Sequence, residues 1–146
     1  MFDFLSPDLK LNSIFELTGE LASEIGIRVL IADLDNTMGK YEHEVPDEKT
    51  AAWVADLKSR GIKLAIVSNN GRERVEKFCL PLGVDFYWKS GKPGKKTILR
   101  AMEKLGGEKA ATALIGDKTI TDILGAKRSG IFSIKVPPLG KRRMFE

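Results

Sequence analysis

Cysteine and histidine are nearly missing from this chain, each occurring once, at Cys79 and His43. A lone cysteine excludes an intramolecular disulfide and a cysteine-rich zinc centre, and a lone histidine excludes a histidine cluster as a metal site. Cys79 is read as a small apolar core residue of a reducing compartment, and His43 as a solvated loop residue. No apolar run approaches the roughly 18 residues of a membrane-spanning helix. The opening MFDFLSPDLK has neither the basic start nor the apolar centre of a secretory signal, so a cytoplasmic protein is the expectation. Zinc-finger spacing, an RNA-binding aromatic motif and a heptad repeat are also missing, and nucleic acid is not the expected partner.

What is present fits one globular domain. The 146 residues are 42% apolar and 30% charged, enough to bury a core and too apolar for a disordered chain. The net charge is +4, and the basic residues gather in KSGKPGKK (89–96) and in the tail GKRRMFE. Such patches suit the phosphate groups of nucleic acid, an anionic lipid or a small substrate, although most of these charges are explained by a solvated surface.

Along the chain, DLKLNSIFELTGELA (8–22) carries Ile14, Leu17 and Leu21 at helical spacing, predicting an N-terminal helical extension over 1–25 packed on the domain. GIRVLIAD (26–33) then reads as a strand buried on both faces. VPDEKTAAWVADLKSRG reads as a helix started by Pro46 and Asp47 and stopped by Gly61. Four further strands are expected in IKLAIVSN, VDFYW, ATALIGD and FSIKV, with helices in GRERVEKFCLPLG, KKTILRAMEKLG and TITDILGAKRSG. Trp53 and Trp88 are expected in the core. Strands alternating with helices predict an α/β fold with a parallel sheet, whose ligands bind beyond the carboxyl ends of the strands.

The residues at those ends carry the chemistry. The first strand ends in Asp33-Leu34-Asp35-Asn36-Thr37, the second in Ser68-Asn69-Asn70, and the fourth in Gly116-Asp117 with Asp122 in the next turn; Gly91-Lys92-Pro93 precedes a helix. Each group alone is explained by capping or turn chemistry. Together, three carboxylates with a lysine and a hydroxyl exceed what capping requires. Carboxylates gathered this way need a cation, and ligands of oxygen alone suit Mg²⁺. A carboxylate in such a site can also attack phosphorus, with the metal, Lys92 and hydroxyl donors neutralising the transferring group.

DLDNT, VSNN, GKP and GDKTITD, in this order, resemble the haloacid dehalogenase superfamily of phosphohydrolases, from Asp33 to Asp122. The resemblance implies a doubly wound sheet with helices on both faces and the first of these strands central. It implies Asp33 as nucleophile and metal ligand, and Asp35 as general acid and base with its backbone carbonyl on the metal. Ser68 and Asn69 would meet the phosphate, Lys92 would balance charge on nucleophile and phosphate, and Asp117 would complete the Mg²⁺ site. Asp122 would stand behind these ligands, holding metal waters or Lys92. More narrowly, the chain resembles the subfamily IIIA group of YqeG-type proteins and phosphatidylglycerophosphate phosphatases, through LSPDLKLNSIFEL and GKPGKK as well as the four motifs. Only 8–10 residues follow the first motif before a helix, and about 20 separate the second from the third, so no cap domain fits and the site is expected to be open. An open site beside basic residues suits a membrane phospholipid met by peripheral contact. A phosphatase for a soluble nucleotide, sugar phosphate or phosphoprotein is the alternative, and a non-catalytic phosphate- or RNA-binding module is the reading outside enzymology.

Overall fold

A computed structural model describes residues 5–140; the first four residues of the expected extension, and the basic tail from 141 onward, lie outside the described residues. In chain order the elements are β1 (Leu9–Lys10), α1 (Gly19–Glu24), β2 (Val29–Ala32), α2 (Glu48–Ser59), β3 (Lys63–Val67), α3 (Arg72–Cys79), β4 (Asp85–Tyr87), α4 (Lys96–Lys104), β5 (Thr112–Gly116), α5 (Leu124–Ser129) and β6 (Phe132–Lys135). The strands form one sheet in the order β1-β6-β5-β2-β3-β4, with every neighbouring pair parallel. The strand that carries Asp33 is thus interior, between β3 and β5.

Residues alternate between the two faces of a strand, and both faces of this sheet are covered. Leu30 and Ala32 join Leu64, Ile66, Ala113 and Ile115 against residues of α1, α2 and α3 such as Ala22, Leu57 and Phe78. Val29 and Ile31 join Ala65, Val67 and Leu114 against Ile98, Ala101 and Met102 of α4 and Ala126 of α5. The sheet is therefore doubly wound. The helix signals act as expected: the Asp47 carboxylate accepts the Thr50 amide at 2.8 Å and caps α2, and Gly130, at φ 72°, ends α5 in a left-handed conformation natural to glycine.

The amino-terminal segment differs from the expected continuous helix over 8–22. Leu9 and Lys10 pair with Ile134 and Lys135 as an edge strand, latched where the Asp8 carboxylate accepts the Ser133 amide at 2.9 Å. A short 3₁₀ turn at Ile14–Glu16 follows, and only α1 is α-helical. Ser13 and Thr18 each cap a fresh helical turn, and the Leu17 carbonyl is taken by the Trp53 indole N–H at 2.9 Å. These side chains divert backbone groups that a continuous helix would pair. The apolar spacing is still used, with Ile14 and Leu17 buried in the core and Leu21 packed against it. Trp88 departs from expectation as well. It stands just past the three-residue edge strand β4 and is 37% exposed, stacked beside Arg72 at 5.1 Å.

Candidate active site

The β2–β5 ladder runs one residue beyond β2: the Asp33 amide donates to the Ile115 carbonyl at 3.0 Å. Asp33 therefore leaves the sheet from a fixed backbone. Leu34 returns to the core, and the chain then closes a tight loop in which the Asn36 amide donates to the Gly39 carbonyl at 2.7 Å. Asn36 takes φ 62°, a conformation asparagine tolerates. Gly39 is needed for space, since a Cβ there would lie 2.6 Å from the Phe78 ring.

Four elements now converge. Lys92, brought in by the loop before α4, places Nζ 2.8 Å from Asp33 Oδ1 and 2.7 Å from Asp122 Oδ1. Thr37 Oγ1 lies 3.2 Å from both Asp33 Oδ2 and Asp117 Oδ1. Asp33, Lys92, Asp117 and Asp122 are all buried, so desolvation sharpens every charge interaction among them. Burial, with the Asp33 and Asp122 carboxylates beside it, pushes Asp117 up to about 7. Burial and Asp33 push Asp122 up to about 6, against the pull of Lys92. Burial opposes the Lys92 ammonium, yet Asp122 and Asp33 hold its pKa above the ordinary lysine range.

The turn between β5 and α5 is π-helical from Thr119 to Ile123, and it tucks Asp122 beneath the strand end. Asp122 Oδ2 accepts the Lys118 amide at 3.1 Å. A Cβ at Gly116 would lie 2.3 Å from the Asp122 carboxyl, so glycine at the end of β5 is what lets this carboxylate reach Lys92.

The second motif serves both sides of the site. Ser68 is buried, and its Oγ accepts the Asn70 amide at 3.0 Å, which leaves its own proton to donate. Asn69, expected beside the phosphate, commits its side chain to the neighbouring loop: Oδ1 accepts the Lys92 amide at 2.8 Å and the Ser90 hydroxyl at 2.7 Å, and Nδ2 donates to the Lys92 carbonyl at 2.9 Å. It fixes the backbone from which Lys92 extends. Asp35 stands apart from the buried cluster. Its Oδ2 accepts from Asn70 Nδ2 at 2.9 Å and its Oδ1 from Arg74 Nε at 2.9 Å. Asn70 and Arg74 also line a cleft of about 540 Å³ with Tyr41, Arg72 and Lys89.

Thr37 and Arg74 are the participants that sequence reasoning did not assign, and Asn70, named with the second motif, bonds Asp35. Thr37 closes the DLDNT motif, and its hydroxyl joins Asp33 to Asp117. Arg74 lies four residues before the buried Phe78 and reaches over that ring to Asp35, whereas Arg72 stacks beside the exposed Trp88. His43 is exposed; its amide donates to the Lys40 carbonyl at 2.9 Å and its own carbonyl accepts from Arg74 Nη1.

The donor set fits a hard divalent cation. Asp33, Asp117 and Asp122 each offer a carboxylate oxygen, all within 4.8 Å of one another. Three carboxylates face one ammonium, leaving negative charge to balance, and no sulfur or imidazole belongs to the group.

A family model described as a haloacid dehalogenase-like hydrolase matches residues 6–130. The probable phosphatase YqeG of Bacillus subtilis (strain 168) is 37% identical over 136 residues, which are 93% of this chain and 79% of that protein. Among solved structures, an uncharacterized protein from Listeria monocytogenes serotype 4b superimposes with a TM-score of 0.62 at 20% identity, over 80% of this chain and 85% of that one. The 3-deoxy-D-manno-octulosonate 8-phosphate phosphatase of Moraxella catarrhalis, solved with magnesium, phosphate and KDO, gives a TM-score of 0.54 at 22% identity, over 68% of this chain and 63% of that one. At these identities the two structures speak to the fold.

Proposed function

The chain belongs to the haloacid dehalogenase-like hydrolase family, and from that premise we propose that it is a Mg²⁺-dependent phosphomonoesterase working through an aspartyl-phosphate on Asp33. The observation that carries this reading is the buried Lys92 bridge between Asp33 and Asp122, with Asp117 alongside, at the carboxyl end of an interior strand. The B. subtilis relative carries the name of a probable phosphatase, in agreement with it.

In the first step an Asp33 carboxylate oxygen attacks phosphorus, the bond from phosphorus to the leaving oxygen breaks, and Asp35 gives that oxygen a proton. In the second, water attacks the phosphorus of the acyl phosphate while Asp35 takes its proton; the Asp33 carboxylate is restored and inorganic phosphate leaves. Lys92 and the Ser68 hydroxyl neutralise charge on the phosphoryl oxygens as it moves. Asn69 acts by holding the loop that carries Lys92. Mg²⁺, held by Asp33, Asp117 and the Asp35 carbonyl, would supply further positive charge to the phosphoryl group, and Asp122 orients Lys92 from behind.

The specific substrate in this proposal is phosphatidylglycerophosphate. Tyr41, Val45 and Ile120 are exposed in the loops around the strand ends, and Lys89, Lys95 and Lys96 are exposed close by. Apolar and basic side chains on one rim suit an anionic lipid headgroup at a bilayer surface. No helix among the described residues is long and apolar enough to cross a membrane, and the contact in this reading is peripheral. The test is phosphate release, with and without Mg²⁺, from phosphatidylglycerophosphate in mixed micelles against a panel of soluble phosphomonoesters, with Asp33→Asn as the blank. Preference for the lipid supports the whole reading. Release from soluble esters alone keeps the phosphatase and discards the lipid, and salt-sensitive RNA binding without turnover would replace both with a binding module.

A further inference from the structure

Resting on the phosphatase reading, we infer that Arg74, together with Asn70, is the positioning device that aims the Asp35 carboxylate at the leaving group. Arg74 is itself firmly held. Nε donates to Asp35 at 2.9 Å, Nη2 to the Lys40 carbonyl at 3.0 Å and Nη1 to the His43 carbonyl, and the guanidinium lies 5.1 Å from the centre of the buried Phe78 ring. Its planar fork therefore joins α3, the loop after the nucleophile and the proton-transfer residue in one rigid unit. Asn70 is fixed just as tightly: its Oδ1 accepts the Gly71 amide at 2.7 Å, which turns Nδ2 toward Asp35.

Both oxygens of Asp35 are thus addressed by donors that cannot give up a proton at neutral pH, from a side chain only 14% exposed. The pair sets the direction in which the carboxylate points. The two donors, Asn70 and Arg74, are themselves part of the wall of the neighbouring cleft. With Asp33 and Asp35 two residues apart, a leaving oxygen on the phosphorus attacked by Asp33 meets an Asp35 carboxylate whose direction Asn70 and Arg74 have set. A misaimed acid costs most when the leaving group needs its proton most.

The test compares kcat/KM for phenyl phosphate and p-nitrophenyl phosphate, with Mg²⁺ present, in the wild-type protein, Arg74→Met, Arg74→Lys and Asn70→Ala. kcat/KM covers the steps through cleavage of the ester bond, and phenolate is the poorer leaving group of the two. The preference for the p-nitrophenyl ester should rise by about tenfold or more in Arg74→Met. It should rise in the same direction, by less, in Asn70→Ala, and Arg74→Lys should return part of it. In an Asp35→Asn background, Arg74→Met should leave the preference where Asp35→Asn has already put it. Equal proportional losses on both esters would mark Arg74 as a clamp for residues 40–43 and overturn the inference. Asn70→Ala decides it even where Arg74→Met fails to fold, because the Arg74 contacts with the loop remain. Wild-type protein that turns over neither ester would overturn the phosphatase reading and this inference with it.

Discussion

Replacing Lys92 by methionine removes the ammonium from a bridge whose side chains are 2% exposed for Lys92, 10% for Asp33 and 0% for Asp122. Methionine preserves the aliphatic stem, so the loss is mainly electrostatic. Breaking a buried ion pair from one side costs about 3–5 kcal/mol, because the remaining charge is stranded. Here two carboxylates are stranded, and Asp122 can relieve part of the cost by binding a proton. Asp117 and Asp122 already have folded-state pKa values of about 7 and about 6, raised from 3.8. A carboxyl raised in this way favours the folded state fully below its unfolded value and loses that contribution as pH rises through the folded one. The substitution should therefore be most damaging above pH 7 and mildest near pH 5. In metal-free buffer we expect a loss of about 3–5 kcal/mol at pH 8 and about 1–2 kcal/mol at pH 5. For a chain of this size that is a fall in Tm of roughly 10 °C and roughly 4 °C. Urea denaturation followed by circular dichroism at the two pH values measures both. A loss under about 1 kcal/mol at pH 8, or one equal at both pH values, would refute the reasoning.

Gly116→Ala places a Cβ 2.3 Å from the Asp122 carboxyl, so the side chain that orients Lys92 must move; a destabilisation of about 1–3 kcal/mol by thermal melting and a large fall in kcat should accompany each other. Mg²⁺ should raise Tm more at pH 8 than at pH 5, because Asp117, pushed up to about 7, must release its proton to meet the ion; Asp117→Asn should remove most of that increment, as seen by scanning fluorimetry. Trp53→Phe deletes the 2.9 Å hydrogen bond to the Leu17 carbonyl and leaves a void where α1 meets α2, so a loss of about 1–3 kcal/mol is expected, with phosphate release unaffected at temperatures where the protein is folded.

The order of strands and helices was legible because interior parallel strands are continuous apolar runs and their helices carry caps and glycine stops in the right places. The grouping of Asp33, Lys92, Asp117 and Asp122 was legible for the same topological reason: residues just past the ends of neighbouring parallel strands meet on one rim. What escaped depends on distances that a pattern does not encode. Leu9–Lys10 is too short to read as a strand and exists because β6 offers an open edge. Trp88 lies among apolar neighbours in sequence, but the three-residue edge strand before it leaves the indole exposed. Asn69 and Asn70 are adjacent and identical, and only the fold shows that one serves Lys92 and the other Asp35. Arg74 required the rotational phase of α3, which Val75 and Phe78 set by their burial.

Turnover by this mechanism passes through a phosphorylated Asp33. Acid quenching during turnover of p-nitrophenyl phosphate with Mg²⁺, followed by peptide mass spectrometry, tests it most directly. One phosphoryl group is expected on the peptide containing Asp33, removable by hydroxylamine, absent from Asp33→Asn and accumulating in Asp35→Asn if hydrolysis of the intermediate is its slower step. Turnover with no phosphorylated peptide at any quench time, or with the label on a different residue, would contradict it.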